Sequence, residues 1–293
     1  MKIFISGASG LVGSNCLKHF TEQGADAVGS YFSYPTSNTV YFNTLDLHDE
    51  KNFDVEAFNP DVIVHCGALT HVDYCEDHQE ESYEKTVTST KNLISLAQKL
   101  HARLVYISTD YVFDGREGPY MENAEVNPLS VYAKHKLEGE QLSLNASDKN
   151  LILRVTNVYG NEERNKNFVS RIVEQCLNKQ KLSLKLPLDQ YATPVNAWDV
   201  ARAMYLLLND NHSGIFHIAS TDWMNRIELA LNVLKYFPEA EYELIPITTH
   251  EMKQPAARPL RGGLLKSKFA ELYPAFLFGN VDSFVQGLVN LDF

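Results

Sequence analysis

"KIFISGASGLVGSNC" (Lys2–Cys16) joins an apolar run to three glycines, Gly7, Gly10 and Gly13, and then opens an amphipathic stretch. Position matters more than glycine count here. A tight turn from a strand into a helix needs residues without a Cβ, and the first turn of the helix offers free N–H groups to a pyrophosphate. The spacing is GxxGxxG, not the GxGxxG of the common dinucleotide fingerprint. Placed at the first turn of the chain, it still points to dinucleotide binding, with Gly7, Gly10, Leu11, Val12 and Gly13 as candidate cofactor residues.

Outward from this turn, strand-like and helical runs alternate. A helix is expected from about Leu11 to Gln23. "ADAVGSYF" and "TVYFNTLDL" read as strands, and "DVIVHCGA" follows a short helix. A long helix is expected over roughly Glu80–Leu100, then the strand "RLVYIST", a helix from about Pro128 to Asn145, and the buried strand "NLILRVTNVYG". Strands apolar on both faces, alternating with helices, predict a parallel sheet covered on each side. The expected class is α/β: a Rossmann-type doubly wound parallel sheet with a smaller C-terminal substrate-binding lobe. Residues 1–160 would form the dinucleotide-binding domain, completed by returning segments around 191–220. Residues 161–293 would mainly form the lobe, with "NFVSRIVEQCLNKQ" and "WDVARAMYLLLND" as helices and "GIFHIAS" as a late strand.

The 293 residues are 44% hydrophobic and 22% charged, an ordinary globular composition. The chain opens as an apolar strand with no charged-then-apolar leader, and no apolar run is long enough to span a bilayer, so a cytoplasmic protein without membrane contact is expected. A net charge of −11 argues against nucleic acid as a partner. It leaves room for an anionic small substrate, because local basic residues can outweigh the global balance. Cys16, Cys66, Cys75 and Cys176 show neither disulfide-framework nor zinc spacing and read as reduced, buried hydrophobes.

An acidic residue closing the second strand would accept a hydrogen bond from the ribose 2′-OH of NAD, and an arginine would suit a 2′-phosphate. Gly29-Ser30-Tyr31-Phe32-Ser33 supplies neither. Ser30 and Ser33 could donate to a phosphate or simply be solvated. The expected cofactor is NADP or NAD, with the balance toward NADP.

"SVYAKHKLEGE" (Ser130–Glu140) holds a second signal. On a helix, Tyr132 and Lys136 share a face and Lys134 points elsewhere. A Tyr/Lys pair at this spacing is often only a charged surface; downstream of a dinucleotide turn it becomes a candidate reactive pair.

Together, "GASGLVG", "DLHD" (Asp46–Asp49), "CGA" (Cys66–Ala68) and Tyr132-x-x-x-Lys136 resemble an extended short-chain dehydrogenase/reductase. "STDYVFDG" (Ser108–Gly115) resembles the dTDP-4-dehydrorhamnose reductase branch, and "LRVTNVYG", "KNFV", "DQYATPVNAWDVA" and "ARPLRGG" extend the likeness over nearly the whole chain. The resemblance implies that Asp46 and Leu47 contact the adenine and that Cys66, Gly67 and Ala68 line the cofactor. It implies that Thr109, with Asp110, meets the substrate carbonyl or hydroxyls, that Tyr132 donates the proton and that Lys136 assists it. Asn157 and Arg258 fall in the substrate lobe. The chemistry suits these types: hydride transfer turns a carbonyl into an alkoxide that needs a proton. A free tyrosine has a pKa of about 10, which a nearby ammonium would lower, and Thr109 can donate to the oxyanion.

Three positions depart from the family pattern. Thr86 stands where an asparagine usually supports the lysine. Asn157 replaces a tryptophan, and "RPLRGG" places Arg261 and Gly262 where "RPxNS" is more usual. These changes bear on substrate identity more than on hydride chemistry. The leading expectation is NAD(P)H-dependent reduction of a 4-keto nucleotide sugar. Alternatives are a nucleotide-sugar epimerase or dehydratase, or a non-catalytic regulatory subunit like the S-adenosylmethionine synthetase β subunit. The resemblance leaves room for a homodimer. His65 and His71 read as polar neighbours of the cofactor, Trp198 and Trp223 as packing, and Asp73, Cys75 and Glu76 do not make a metal site. Arg164, Lys166 and Arg171 could meet a diphosphate or only solvate a helix face.

Overall fold

The computed structural model describes residues 1–291. Its first half alternates strand and helix: β1 (Lys2–Ser6), α1 (Leu11–Glu22), β2 (Asp26–Tyr31), β3 (Thr39–Tyr41), α2 (Val55–Phe58), β4 (Val62–His65), α3 (Val72–Asp77), α4 (Gln79–Tyr83), α5 (Ser89–Lys99), β5 (Arg103–Thr109), α6 (Val131–Ala146) and β6 (Leu151–Val155). The second half continues with α7 (Phe168–Leu177), β7 (Leu182–Pro187), β8 (Tyr191–Ala192), α8 (Ala197–Asn209), β9 (Gly214–His217), β10 (Met224–Asn225), α9 (Arg226–Leu234) and β11 (Tyr242–Ile247). The main sheet runs β3-β2-β1-β4-β5-β6-β9, all parallel. β1 and β4, adjacent in the sheet, lead the chain to opposite sides of it. The crevice outside their carboxyl ends is the topological switch point, where such folds bind ligands.

Burial follows the sequence pattern. Ile3, Phe4 and Ile5 of β1, Ile63 and Val64 of β4, and Leu151, Ile152 and Leu153 of β6 are fully buried, as expected for strands covered on both faces. α1 and α8 pack on one face through Cys16, Phe20, Ala203, Met204 and Leu207. Leu93, Leu96 and Ala97 of α5 cover the other. A separate apolar cluster joins α7, β7, α9 and the C-terminal helix Val281–Leu291 through Ile172, Leu182, Leu229, Val233 and Val285. Two small ladders, β7 with β11 and β8 with β10, border it.

Three expected elements change in extent. The strand read over "TVYFNTLDL" ends at Tyr41, because Asn43, Asp46 and Asp49 each accept a backbone N–H two residues on, at 3.0 Å, and turn the chain locally. The helix expected from Pro128 starts at Val131, where Ser130 accepts from the Ala133 N–H. The long helix over 80–100 contains a π-helical turn at Glu84–Thr88, a feature concentrated at functional sites.

α6 buries a polar stripe rather than an apolar one: Lys136, Gly139, Glu140 and Ser143 face the sheet. Gly139 lets the helix approach β5 so closely that a Cβ there would collide with the Tyr106 hydroxyl. Glu140 accepts two hydrogen bonds from Arg154 of β6, at 2.7 and 2.9 Å, with both side chains almost fully buried. Removing one partner strands a buried charge. Glu140→Gln is expected to cost about 3–5 kcal/mol of stability, read as a lowered urea midpoint, whereas replacing both partners with methionine recovers much of the loss.

Candidate active site

Gly7 follows β1 with φ +78°, a left-handed conformation that glycine adopts without strain. A Cβ on Gly7 would lie 2.9 Å from the Gly67 nitrogen, so the turn after β1 and the loop after β4 touch backbone to backbone. Gly13 seats α1 on the turn, since a Cβ there would come 2.5 Å from the Gly7 carbonyl oxygen. Gly10 is different. It begins α1 with no side-chain cap, and a Cβ on it would meet only the Gly7 carbonyl, at 3.4 Å. The bare first-turn N–H groups and the open space beside Gly10 suit a pyrophosphate. Leu11 and Val12 are half-buried at this rim, with Cys66, Gly67 and Ala68 opposite. Asn92 and Ser89 of α5 tie the Thr44–Leu45 segment down, and Ser89 also reaches His65; Asp46 and Leu47 follow directly. Ser30 is buried, and its carbonyl accepts from the Ala8 N–H at 2.7 Å. Its position braces the glycine turn instead of opening onto solvent.

Beyond β5, Thr109, Tyr111 and Tyr132 converge. The Tyr132 ring meets Tyr111 edge-on at 6.0 Å. Burial pushes the Tyr132 phenol's pKa above its ordinary value, and the nearby Thr109 hydroxyl partly offsets this. The Lys136 Nζ donates to the Ile107 carbonyl at 2.6 Å and lies 4.0 Å over the Tyr106 ring. Burial lowers the Lys136 pKa to about 7, against the pull of Glu140. His65 is lowered to about 3 by burial and by Lys136, so it is neutral. Thr86 lies in the π-helical turn, and its buried hydroxyl has no partner.

Asp110, expected to meet substrate, is tied up inside the protein. Its carboxylate accepts from Thr156 at 2.8 Å, from the Gly263 N–H at 3.0 Å and from Thr109 at 3.3 Å. Burial raises its pKa, and these donors work the other way. The same bonds explain the unusual "RPLRGG". Residues 260–265 form a strap laced to Gly115–Tyr120 on one side and to Tyr191 on the other. Gly262 passes so near Asp110 that a Cβ would lie 2.9 Å from Oδ2. Arg258 does not stand free for a nucleotide: it pairs bidentately with Asp73, at 2.8 and 2.9 Å, and tethers the strap to α3. Trp223 stacks on Tyr191 and packs beside Gly263, while Trp198 packs on His19.

A cleft runs on from Tyr111, lined by Asn157, Gln190, Tyr191 and Arg226. Asn157, left-handed at φ +41°, accepts from Arg226 at 2.7 Å. No carboxylate pairs with Arg226 among the described residues, and burial lowers its pKa. The sequence reading missed Arg226 and Asp73. The N-x-x-E of Asn225–Glu228, a capping box in the structure, would have placed Arg226 in the first turn of a helix. Nothing local marks Asp73 as a partner 185 residues from Arg258. Lys166 and Arg171 line a separate open groove with Glu174 and Asn178, whereas Arg164 turns toward Tyr34.

Comparison with known proteins agrees with this architecture. The methionine adenosyltransferase 2 subunit beta of Danio rerio is 32% identical over 263 residues, 88% of this chain and 80% of its own length. A Haloferax volcanii protein named "Probable low-salt glycan biosynthesis reductase Agl14" is 29% identical over 90% of this chain and 89% of its own. The crystal structure of a dTDP-4-dehydrorhamnose reductase from Clostridium acetobutylicum superposes with a TM-score of 0.81 at 29% identity, covering 99% of each chain. The model of the RmlD substrate binding domain matches residues 1–277. That match takes in all but the last residues of the chain, and the chain belongs to the RmlD substrate-binding-domain family.

Proposed function

We propose that the protein is an NAD(P)H-dependent reductase of a 4-keto nucleotide sugar, similar to the dTDP-4-dehydrorhamnose reductases. The observation that carries this reading is the convergence of Thr109 and Tyr132 on Tyr111, which lines a cleft together with Arg226, a cation paired with no carboxylate among the described residues. The turn at Gly7, Gly10 and Gly13, with Gly67 and Ala68 facing it, would hold the dinucleotide. Bound there, a reduced nicotinamide supplies the hydride.

The chain's own groups account for the rest. A phenol whose pKa is raised by burial stays protonated at neutral pH, the form a proton donor needs in the reducing direction. Thr109 would donate to the carbonyl oxygen as negative charge builds on it. Asp110 acts one step back, holding Thr109 and the strap in place. Arg226, fixed by Asn157, would face the anionic part of the substrate. The overall charge of −11 does not oppose this, because a single well-placed cation such as Arg226 can outweigh the global balance locally.

The test is NADH and NADPH oxidation against a panel of dTDP-, GDP-, UDP- and CDP-linked 4-keto sugars. Substrate-dependent oxidation is expected. Tyr132→Phe should reduce kcat by roughly 100- to 10,000-fold while leaving the dinucleotide Kd nearly unchanged. Full activity in that variant would overturn the mechanism, and turnover without net oxidation would favour an epimerase or dehydratase.

The pKa of Lys136 gives a second test. If the bound dinucleotide draws hydrogen bonds from its ammonium, binding takes up a proton. Affinity should then weaken as pH rises through about 7, from about 6 to about 9, and Lys136→Met should flatten that dependence.

The 32% identity to the methionine adenosyltransferase 2 subunit beta of Danio rerio favours a second reading, a regulatory subunit that keeps the fold and binds a synthetase. Stable co-elution with a methionine adenosyltransferase and an altered synthetase KM, with no keto-sugar turnover, would establish it. Turnover without co-elution would dismiss it.

A further inference from the structure

Arg164 is a cation without an assigned task. Its guanidinium lies 5.0 Å over the Tyr34 ring. Its Nε is buried without a hydrogen-bond partner, and among the described residues no carboxylate pairs with it. The neighbouring Glu162 is committed elsewhere, accepting from the backbone of Lys166 and Asn167 at 2.9 Å. A guanidinium that is stacked on an aromatic ring and unpaired is oriented but not neutralised.

Its position gives the cation a use. Tyr34 lies three residues past the end of β2. β2 braces the glycine turn through the Ala8–Ser30 bond, and the loop bearing Arg164 is tied to α1 by the bond from the Asn15 side chain to the Asn161 carbonyl, at 2.9 Å. α1, the glycine turn, β2, Tyr34 and Arg164 therefore form a closed circuit around the head of α1. In this fold the end of β2 reads the adenosine ribose: an acidic residue accepts from a 2′-hydroxyl, and an arginine nearby accommodates a 2′-phosphate. No carboxylate stands at the end of β2 here; the chain continues Tyr31-Phe32-Ser33-Tyr34. The arginine arrives instead from 130 residues downstream in sequence.

We propose that Arg164, oriented by Tyr34, receives the adenosine 2′-phosphate and makes the protein select NADP(H) over NAD(H). This rests on the dinucleotide reading above and adds the residue that would set the choice. A charge-assisted phosphate contact implies roughly a 10- to 100-fold preference.

The test is binding, not turnover. NADPH and NADH are titrated by fluorescence, and adenosine 2′,5′-bisphosphate and 5′-AMP by calorimetry, against wild type, Arg164→Ala, Arg164→Lys and Tyr34→Ala. Thermal melts check that each variant is folded. The expected result is a wild-type preference for NADPH and for the bisphosphate. Arg164→Ala should lose it roughly 10- to 100-fold with NADH and 5′-AMP unchanged, and Arg164→Lys and Tyr34→Ala should lose less. Equal loss for NADPH and NADH in Arg164→Ala would place the contact on the pyrophosphate and overturn the proposal, as would no loss at all or a wild type indifferent to the 2′-phosphate. A wild type that binds neither dinucleotide would overturn the parent reading as well.

Discussion

The bidentate contact between Arg154 and Glu140 ties α6 to the sheet, and the candidate site depends on it. Helices usually reach a sheet through an apolar face. α6 does so through Lys136, Gly139, Glu140 and Ser143, and the two charged side chains would lose water without return unless a partner stood opposite. Arg154 meets Glu140, the Ile107 carbonyl meets Lys136, and Gly139 removes the bulk that would hold the helix away. The result is a helix set unusually close to β5. That closeness brings Tyr132 to Thr109 and puts Lys136 over the Tyr106 ring.

The same trade recurs around Asp110. A buried carboxylate is costly alone, but three donors from three separate parts of the chain converge on it. One of them, the Gly263 N–H, belongs to the strap, and a second carboxylate, Asp73, holds Arg258 just before the strap. The polar groups nearest the reactive centre therefore fix the second half of the chain against the first, and little of their hydrogen-bonding capacity is left over. Arg226 and Arg164 contrast with them. Both are oriented, by Asn157 and by Tyr34, and among the described residues no carboxylate pairs with either.

Much of this was legible beforehand. The parallel sheet covered by helices follows from alternation of apolar runs with helices, and the crevice follows from glycines placed directly after the first strand. Both are local patterns carried in a few adjacent residues. The Tyr132–Lys136 pair was found by helical spacing. What spacing could not give was the direction in which Lys136 acts, because that depends on the Ile107 carbonyl 29 residues away. The roles first given to Asp110 and Arg258 shifted for the same reason, since their partners lie 153 and 185 residues away in sequence. Ser30 is buried at the end of β2, where its carbonyl holds the Ala8 N–H of the glycine turn. "TVYFNTLDL" was shortened by side chains that compete with the ladder for backbone N–H groups, a tendency of asparagine and aspartate that an apolar count overlooks.

The strap also bears on how the molecule is made. Residues 260–265 run between the Gly115–Tyr120 loop and Tyr191, and they deliver the Gly263 N–H to Asp110. A ribosome must release nearly nine-tenths of the polypeptide before that donor exists. The nascent sheet can order its early strands during synthesis, yet the Asp110 carboxylate gains its Gly263 donor only once residues 260–265 are in place. Ordering of the first strands and completion of the hydrogen bonds around Asp110 are thereby separate events in the life of each molecule.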